Sequence, residues 1–265
     1  MTVYVTAVSA TSLADLTVPA ELSRKLRRAD DYIRLAVAAA FEVTQDLRQE
    51  DIKWQQHTGL VLGSGFSTMQ TNFEVLDSVV SGEQTSPTLF SHSVFNAAAG
   101  YVASTLGVKG AALTVTEFAF PFFKALEEAH LAILSGRLDS CLVVQVETYS
   151  DLLLDGRKNL AADGSLWDPG VVCLLLQNQC KREPLCIVED IDTKTRSCEP
   201  ESFLTSRQDV VMGSRKQLTL DPLGPAMVLA NQLYSKDVYE SGVFSVHSDW
   251  GEVQLHFLGN LGKSV

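Results

Sequence analysis

The chain has 265 residues, 46% of them hydrophobic and 20% charged, enough to bury a sizeable core in one large α/β unit and unlike a disordered or fibrous polypeptide. A formal net charge of −11 repels a phosphate backbone, and the basic residues form no stripe interleaved with aromatics, so a nucleic-acid partner is excluded. No uncharged apolar run of about 18 residues occurs, and Met1-Thr2-Val3-Tyr4 lacks the basic and apolar regions of a signal peptide. The expectation is a soluble, cytoplasmic protein with no membrane partner.

Residues Val3 to Ala7 read as a first strand. The basic cluster Arg24, Lys25, Arg27 and Arg28 is either a solvated helix face or a docking spot for an acidic protein. From Ala29 to Leu47, apolar Ile33, Leu35, Ala36, Ala39, Ala40 and Val43 recur at helical spacing. Thr58 to Gly65 is a short apolar run closing on glycines, and Thr68 to Val80 continues as a helix, giving strand, tight turn, helix. Gly63 and Gly65 lack the third glycine of a phosphate-cradling G-x-G-x-x-G loop, since Thr68 stands there. They read as small residues that let the chain turn beside a neighbouring element.

Asn96 to Leu106 is an alanine-rich helical pattern, and Ala111 to Phe118 is a β-branched strand that runs into Phe118, Phe120, Phe122 and Phe123. A helix from about Phe122 to Leu134 stops at Ser135-Gly136, and a strand spans Ser140 to Val146. Asp155 to Gly170 is polar and turn-rich, whereas Val171 to Leu176 is a buried-strand run. Thr193 to Ser214 has weak periodicity and reads as loop or surface helix. A helix near Pro225 to Tyr234 precedes strands Gly242 to His247 and Glu252 to Leu258, the last with Val253, Leu255 and Phe257 at alternate positions. This succession marks an α/β protein.

Five cysteines without a C-x-x-C pair, and five histidines without i, i+4 pairing, suggest neither a disulfide framework nor a metal site. No cofactor is expected.

Arg27-Arg28-Ala29-Asp30-Asp31-Tyr32-Ile33-Arg34-Leu35-Ala36, followed by Ala38-Ala39-Ala40, resembles the arginine-led first helix of β-ketoacyl synthases. Further matches follow in order: Val61 to Gly65, Phe95-Asn96-Ala97-Ala98-Ala99, Leu106-Gly107-Val108-Lys109-Gly110, and Ser135-Gly136 with Asp139. The strand to Glu147, then Asp163-Gly164-Ser165 and Gly170-Val171-Val172, complete a resemblance that covers residues 1 to about 176. It implies a thiolase-like, layered αβαβα fold, truncated, with part of the C-terminal half missing. One ketosynthase-like domain over 1–265 is expected, with an N-terminal half at 1–176 and a reduced C-terminal half at 177–265.

By the same resemblance, the family's nucleophilic cysteine corresponds to Ala119, and a methyl group cannot attack a thioester. No H-G-T-G-T stretch for the first catalytic histidine occurs; Lys216 is retained, and Asp221 stands where the second histidine would follow it by five positions. The resemblance thus implies a subunit with no catalytic residues that is not an enzyme on its own. It implies a chain-length factor of a type II polyketide synthase, of the short Gram-negative aryl-polyene or anthraquinone kind, forming a heterodimer with an active ketosynthase and shaping its tunnel.

The implied interface strand is Ala112, Leu113, Thr114, Val115, Thr116 and Glu117, continuing to Phe118 and Phe120. Met69, Phe73 and Leu76, with Leu89, Phe90 and Phe95, are implied to reach toward the partner's tunnel or else to be core. Phe118, Phe120, Phe122 and Phe123 are expected either to fill the vacated catalytic pocket or to be ordinary core residues, and Lys216 and Asp221 to pair. Acyl carrier protein is expected to dock mainly on the ketosynthase, with Arg24 to Arg28 the candidate contact on this chain. Two alternatives stand beside this reading. One is a homodimeric acyl-binding or scaffolding protein; the other is an independent acyl transferase or hydrolase using Ser64 or Ser67 with His57 or His92.

Overall fold

Two sets of five strands share one sheet, joined where the first strand leaves the N-terminal set. The computed structural model describes residues 1–160, 166–196, 206–235 and 241–259. The N-terminal set is β1 (Val3–Ser12), β2 (Thr58–Ser64), β3 (Ala112–Thr116), β4 (Ser140–Glu147) and β5 (Gly170–Gln177). The second set is β6 (Cys186–Thr195), β7 (Gln208–Met212), β8 (Arg215–Thr219), β9 (Ser241–Ser248) and β10 (Gly251–Gly259). The order is β3-β2-β4-β5-β1-β6-β10-β9-β7-β8. Strand β2 runs parallel to β3 and β4, and the other pairings are antiparallel. Only three residue pairs, Val3↔Val188, Tyr4↔Ile187 and Val5↔Cys186, join β1 to β6.

The helices are α1 (Asp31–Val43), α2 (Gln45–Glu50), α3 (Met69–Val80), α4 (Pro87–His92), α5 (Ala97–Leu106), α6 (Pro121–Leu134), α7 (Asp151–Leu160) and α8 (Gly224–Ser235). Strands β2 and β4 are buried along their whole length, which is why they read as continuous apolar runs. Alternate side chains go to opposite faces. Leu60, Leu62, Leu142, Val144, Cys173 and Leu175 meet the alanine-rich faces of α1 and α5. Val61, Val143, Val172 and Leu174 meet α6 and α8.

The inner face of the second set, with Val210, Met212, Phe244, Val246, Val253, Leu255 and Phe257, joins that same core. Helices α6 and α8 are thus a central layer between the two halves of the sheet. The outward positions Glu252, Gln254 and His256 of β10 are polar, the pattern of a face with no helix over it. The described residues therefore supply four layers of an αβαβα arrangement and lack its last helical layer, in line with the truncation expected.

Several expectations change in detail. Strand β1 runs on to Ser12, and the expected helix over Ala29 to Leu47 divides at Thr44 into α1 and α2. The Thr44 hydroxyl donates to the Ala40 carbonyl at 2.8 Å, a back-bond that loosens a helix end. The start of the polar stretch from Asp155 belongs to α7. Between Thr193 and Ser214, where loop or surface helix was expected, β6 ends at Thr195 and β7 spans Gln208–Met212. With five residues, β7 is too short to show a period clearly. The motif Asp163-Gly164-Ser165 and residues 197–205 lie outside the described residues.

Candidate functional site

Helix α6 begins directly after β3, with Pro121 at its first position, where a missing N–H costs nothing. Just ahead of it, Ala119 and Phe120 are both buried. The approach is tight: a Cβ on Gly63 would lie 2.1 Å from the Pro121 carbonyl oxygen, so only glycine lets β2 pass beneath this turn.

Of the two expectations for the phenylalanines at this turn, core packing is the one that holds for Phe120, the residue before α6, and for Phe122 and Phe123 within it. Phe66, Tyr149 and Trp167 form a separate buried aromatic cluster with ring centroids 5.1 to 5.4 Å apart. Met69, Leu153 and Leu154 pack against it, and the buried Arg157 guanidinium lies 6.0 Å from the Trp167 ring. Phe118 leans on Phe66 at 6.1 Å and is itself 52% exposed.

Asp221 is locked into the same cluster. The Tyr149 hydroxyl donates to its Oδ1 at 2.7 Å, the Asp168 amide to Oδ2 at 2.6 Å, and the Leu223 amide to Oδ1 at 2.9 Å. Burial raises the Asp221 pKa, and burial together with the neighbouring Asp221 raises that of Tyr149. Lys216 is elsewhere: it stands on the exposed edge strand β8 and pairs with Asp209 at 2.8 Å. The expected Lys216–Asp221 ion pair does not form, because β8 leads away from the cluster before Asp221 turns back into it.

Beneath the β2–α3 turn, Glu147 at the end of β4 is fully buried and gathers four donors. The Gly65 amide and the Gln145 side-chain amide reach Oε1 at 2.6 and 3.1 Å, and the Ser64 hydroxyl and Phe66 amide reach Oε2 at 3.0 and 3.2 Å. No cation is among these partners. Burial pushes its pKa up to about 7, and the four donors hold it down against that. From the sequence Glu147 stands out only as the end of a matching strand, although a carboxylate shortly after the apolar run Cys141 to Val144 is a signal for a buried acid.

Neither serine has a histidine beside it. Ser64 is committed to Glu147 and accepts from the Ser67 amide at 2.7 Å. Ser67 is buried and has a left-handed φ of 47°. His92 faces the Tyr101 hydroxyl at 2.9 Å and Asp30 at 4.0 Å, on a cleft of about 570 Å³. His57 lines a different cleft of about 310 Å³ with Asp139, Asn178 and Lys181. The structure thus separates the members of the serine–histidine alternatives. Among the described residues, no group of three or more His, Cys, Asp or Glu is placed to hold a metal ion, and no helix is long and apolar enough to cross a membrane.

The residues expected at an interface divide: Phe120 is buried in the core and Met69 packs against the aromatic cluster, while others reach the surface. β3 is an edge strand with Ala112 exposed, Thr114 and Val115 half-buried, and Leu113 49% exposed. Phe118 (52%), Phe90 (61%), Phe95 (54%) and Leu76 (55%) are likewise exposed. Phe73 and Leu89 are half-buried, and Val79, Val80 and Val94 are further exposed apolar residues on α3 and before α5. Isolated exposed apolar residues are ordinary, but a set this dense is not.

Residues 9–161 match the family model described as beta-ketoacyl synthase, N-terminal domain. No curated protein sequence matches the chain. Among solved structures, it superposes on the ishigamide ketosynthase/chain length factor with a TM-score of 0.62 at 20% identity, covering 74% of this chain and 68% of that one. On a chain of the ketosynthase (ApeO) in complex with its chain length factor (ApeC) from Xenorhabdus doucetiae, the TM-score is 0.64 at 17% identity, covering 97% and 99%. A beta-ketoacyl synthase from Burkholderia phymatum gives 0.63 at 13%, covering 73% and 64%. At these identities the structural matches establish the fold, while the family model spans more than half of the sequence: the chain belongs to the beta-ketoacyl synthase family.

Proposed function

We propose that this chain is a non-catalytic chain-length-factor subunit that heterodimerises with an active ketosynthase and helps shape the tunnel holding a growing polyketide or polyene. The observation that carries this reading is the β3 edge with its exposed neighbours Leu113, Phe118, Phe90 and Phe95. An unpaired edge beside large apolar side chains is an aggregation liability unless another chain covers it. An interface of about 800 Å² per partner with aromatic anchors fits such a face.

The silent chemistry points the same way. Ala119 offers no nucleophile, and Asp221 is engaged by Tyr149 of a buried aromatic cluster. The alignment over 97% of this chain and 99% of one chain in the ApeO–ApeC complex adds support. Acyl carrier protein docks mainly on the ketosynthase in this reading. Arg24, Lys25, Arg27 and Arg28 are exposed and form the one contact assigned to this chain.

The functional test is reconstitution of chain elongation with the neighbouring ketosynthase and an acyl carrier protein, with and without this chain, followed by mass spectrometry of the products. Elongation to a defined length only when both are present, with no turnover by this chain alone, is expected. Turnover by this chain alone, or identical products without it, would overturn the reading.

A further inference from the structure

The apolar face is assembled from three pieces of chain that meet at one turn. At the end of β3, the Glu117 amide donates to the Ser64 carbonyl at 3.3 Å, and Phe118 packs against Phe66. At the start of α3, the Met69 amide donates to the Phe66 carbonyl at 3.1 Å. The segment carrying Phe90 and Phe95 is tied in through the Ser93 carbonyl, which accepts from the Thr68 hydroxyl at 2.8 Å and from the Asn72 side-chain amide at 3.0 Å. All three attachments rest on residues 64–68, and that turn carries a left-handed Ser67, a conformation that persists only where neighbours enforce it.

We propose that Glu147 is the positioning residue of the docking face: by binding Ser64, Gly65 and Phe66 together from below, its carboxyl fixes the turn on which β3, α3 and the Phe90–Phe95 segment are seated. The inference rests on the docking reading. The two carboxyl oxygens supply acceptors for two backbone amides that no helix or strand would otherwise satisfy. The charge is internal to the fold. The ionisable groups facing it are Tyr32 from α1 and Tyr149 after β4, with Asp221 behind Tyr149. Glu117 points its carboxyl at the Ala119 amide instead.

The test is Glu147→Gln in the full chain, with the milder Ser64→Ala as a second variant should the first fail to fold. The isosteric amide presents an NH2 group to donors that need an acceptor. Amide hydrogen exchange is expected to rise roughly tenfold at Gly65 to Ser67, at Phe118 and around Ser93, with β9 and β10 unchanged, the scale of one buried donor left unsatisfied. Because opening the turn returns the carboxyl to water, protection there falls in the parent as pH rises from 5 to 8, and this dependence vanishes in Glu147→Gln. Capture of the ketosynthase weakens by a similar factor. Unchanged exchange at the turn, or a uniform loss across the chain, would overturn the proposal. A parent chain that captures no ketosynthase sinks the docking reading, while the exchange profile still decides whether Glu147 holds the turn.

Discussion

The Tyr149 hydroxyl donates to Asp221 at 2.7 Å, and the aromatic rings of Phe66 and Trp167 pack against Tyr149 at 5.4 and 5.1 Å. Lys216, five residues before Asp221 in sequence, pairs with Asp209 on the surface instead. The two positions that the family resemblance couples are therefore decoupled here.

Asp221→Ala leaves the Tyr149 hydroxyl and the Asp168 amide without an acceptor, and about 2–3 kcal/mol of stability is lost. Lys216→Ala removes an exposed pair and changes stability by less than about 1 kcal/mol. Denaturant midpoints of the two variants and of the double variant check this, and the effects add because the sites share no partner.

Burial raises the carboxyl pKa of Glu147 to about 7, above an ordinary Glu value of roughly 4.3, and raises Asp30 and Asp221 in the same direction. The folded state thus holds these protons more tightly than the unfolded state. The contribution of Glu147 to stability is complete below about pH 4.3 and is lost as pH rises through about 7, and Asp30 and Asp221 act in the same direction. Thermal unfolding is therefore expected at higher temperature at pH 5.5 than at pH 8, with a smaller difference in Glu147→Gln.

Phe90→Ala and Phe118→Ala remove side chains that are more than half exposed in the single chain. Each is expected to leave the unfolding midpoint nearly unchanged and to weaken ketosynthase binding at least tenfold, the behaviour of an anchor residue in an interface. Titration calorimetry on the purified pair measures both variants.

Ala119→Cys restores a thiol without restoring its activation. Asp221, which the family resemblance aligns with a basic partner, is engaged by Tyr149, Asp168 and Leu223, so it offers no base to a thiol at position 119 and only the N-terminus of α6 favours a thiolate there. Incubation with an acyl carrier protein loaded with an acyl group is expected to leave the intact mass of the variant unchanged.

The N-terminal half was readable because its signals are local and agree: β2, β4 and β5 carry the apolar runs Leu60 to Leu62, Cys141 to Val144 and Val171 to Leu176, and Gly136 with φ 71° closes α6 where Ser135-Gly136 predicts a stop. The second half was harder. β8, Arg-Lys-Gln-Leu-Thr, is an exposed edge whose residues have no apolar face to reveal a period. At the site, motif order and spacing align Ala119 and Asp221 with the family's catalytic positions, but they do not reveal the aromatic cluster beside Asp221. Phe66, Tyr149 and Trp167 come together from three separate loops, a juxtaposition that sequence spacing does not encode. The phenylalanines beside Ala119 are adjacent in sequence, yet Phe120 just before α6 and Phe122 and Phe123 on it pack in the core, and Phe118 stays half exposed.

Partnership is the central claim, and co-expression with the ketosynthase encoded nearest to this chain, followed by size-exclusion chromatography with mass determination, tests it most directly. A one-to-one complex, with this chain insoluble or aggregated when made alone, is the predicted result. A well-behaved monomer or homodimer that elutes apart from the ketosynthase would contradict it.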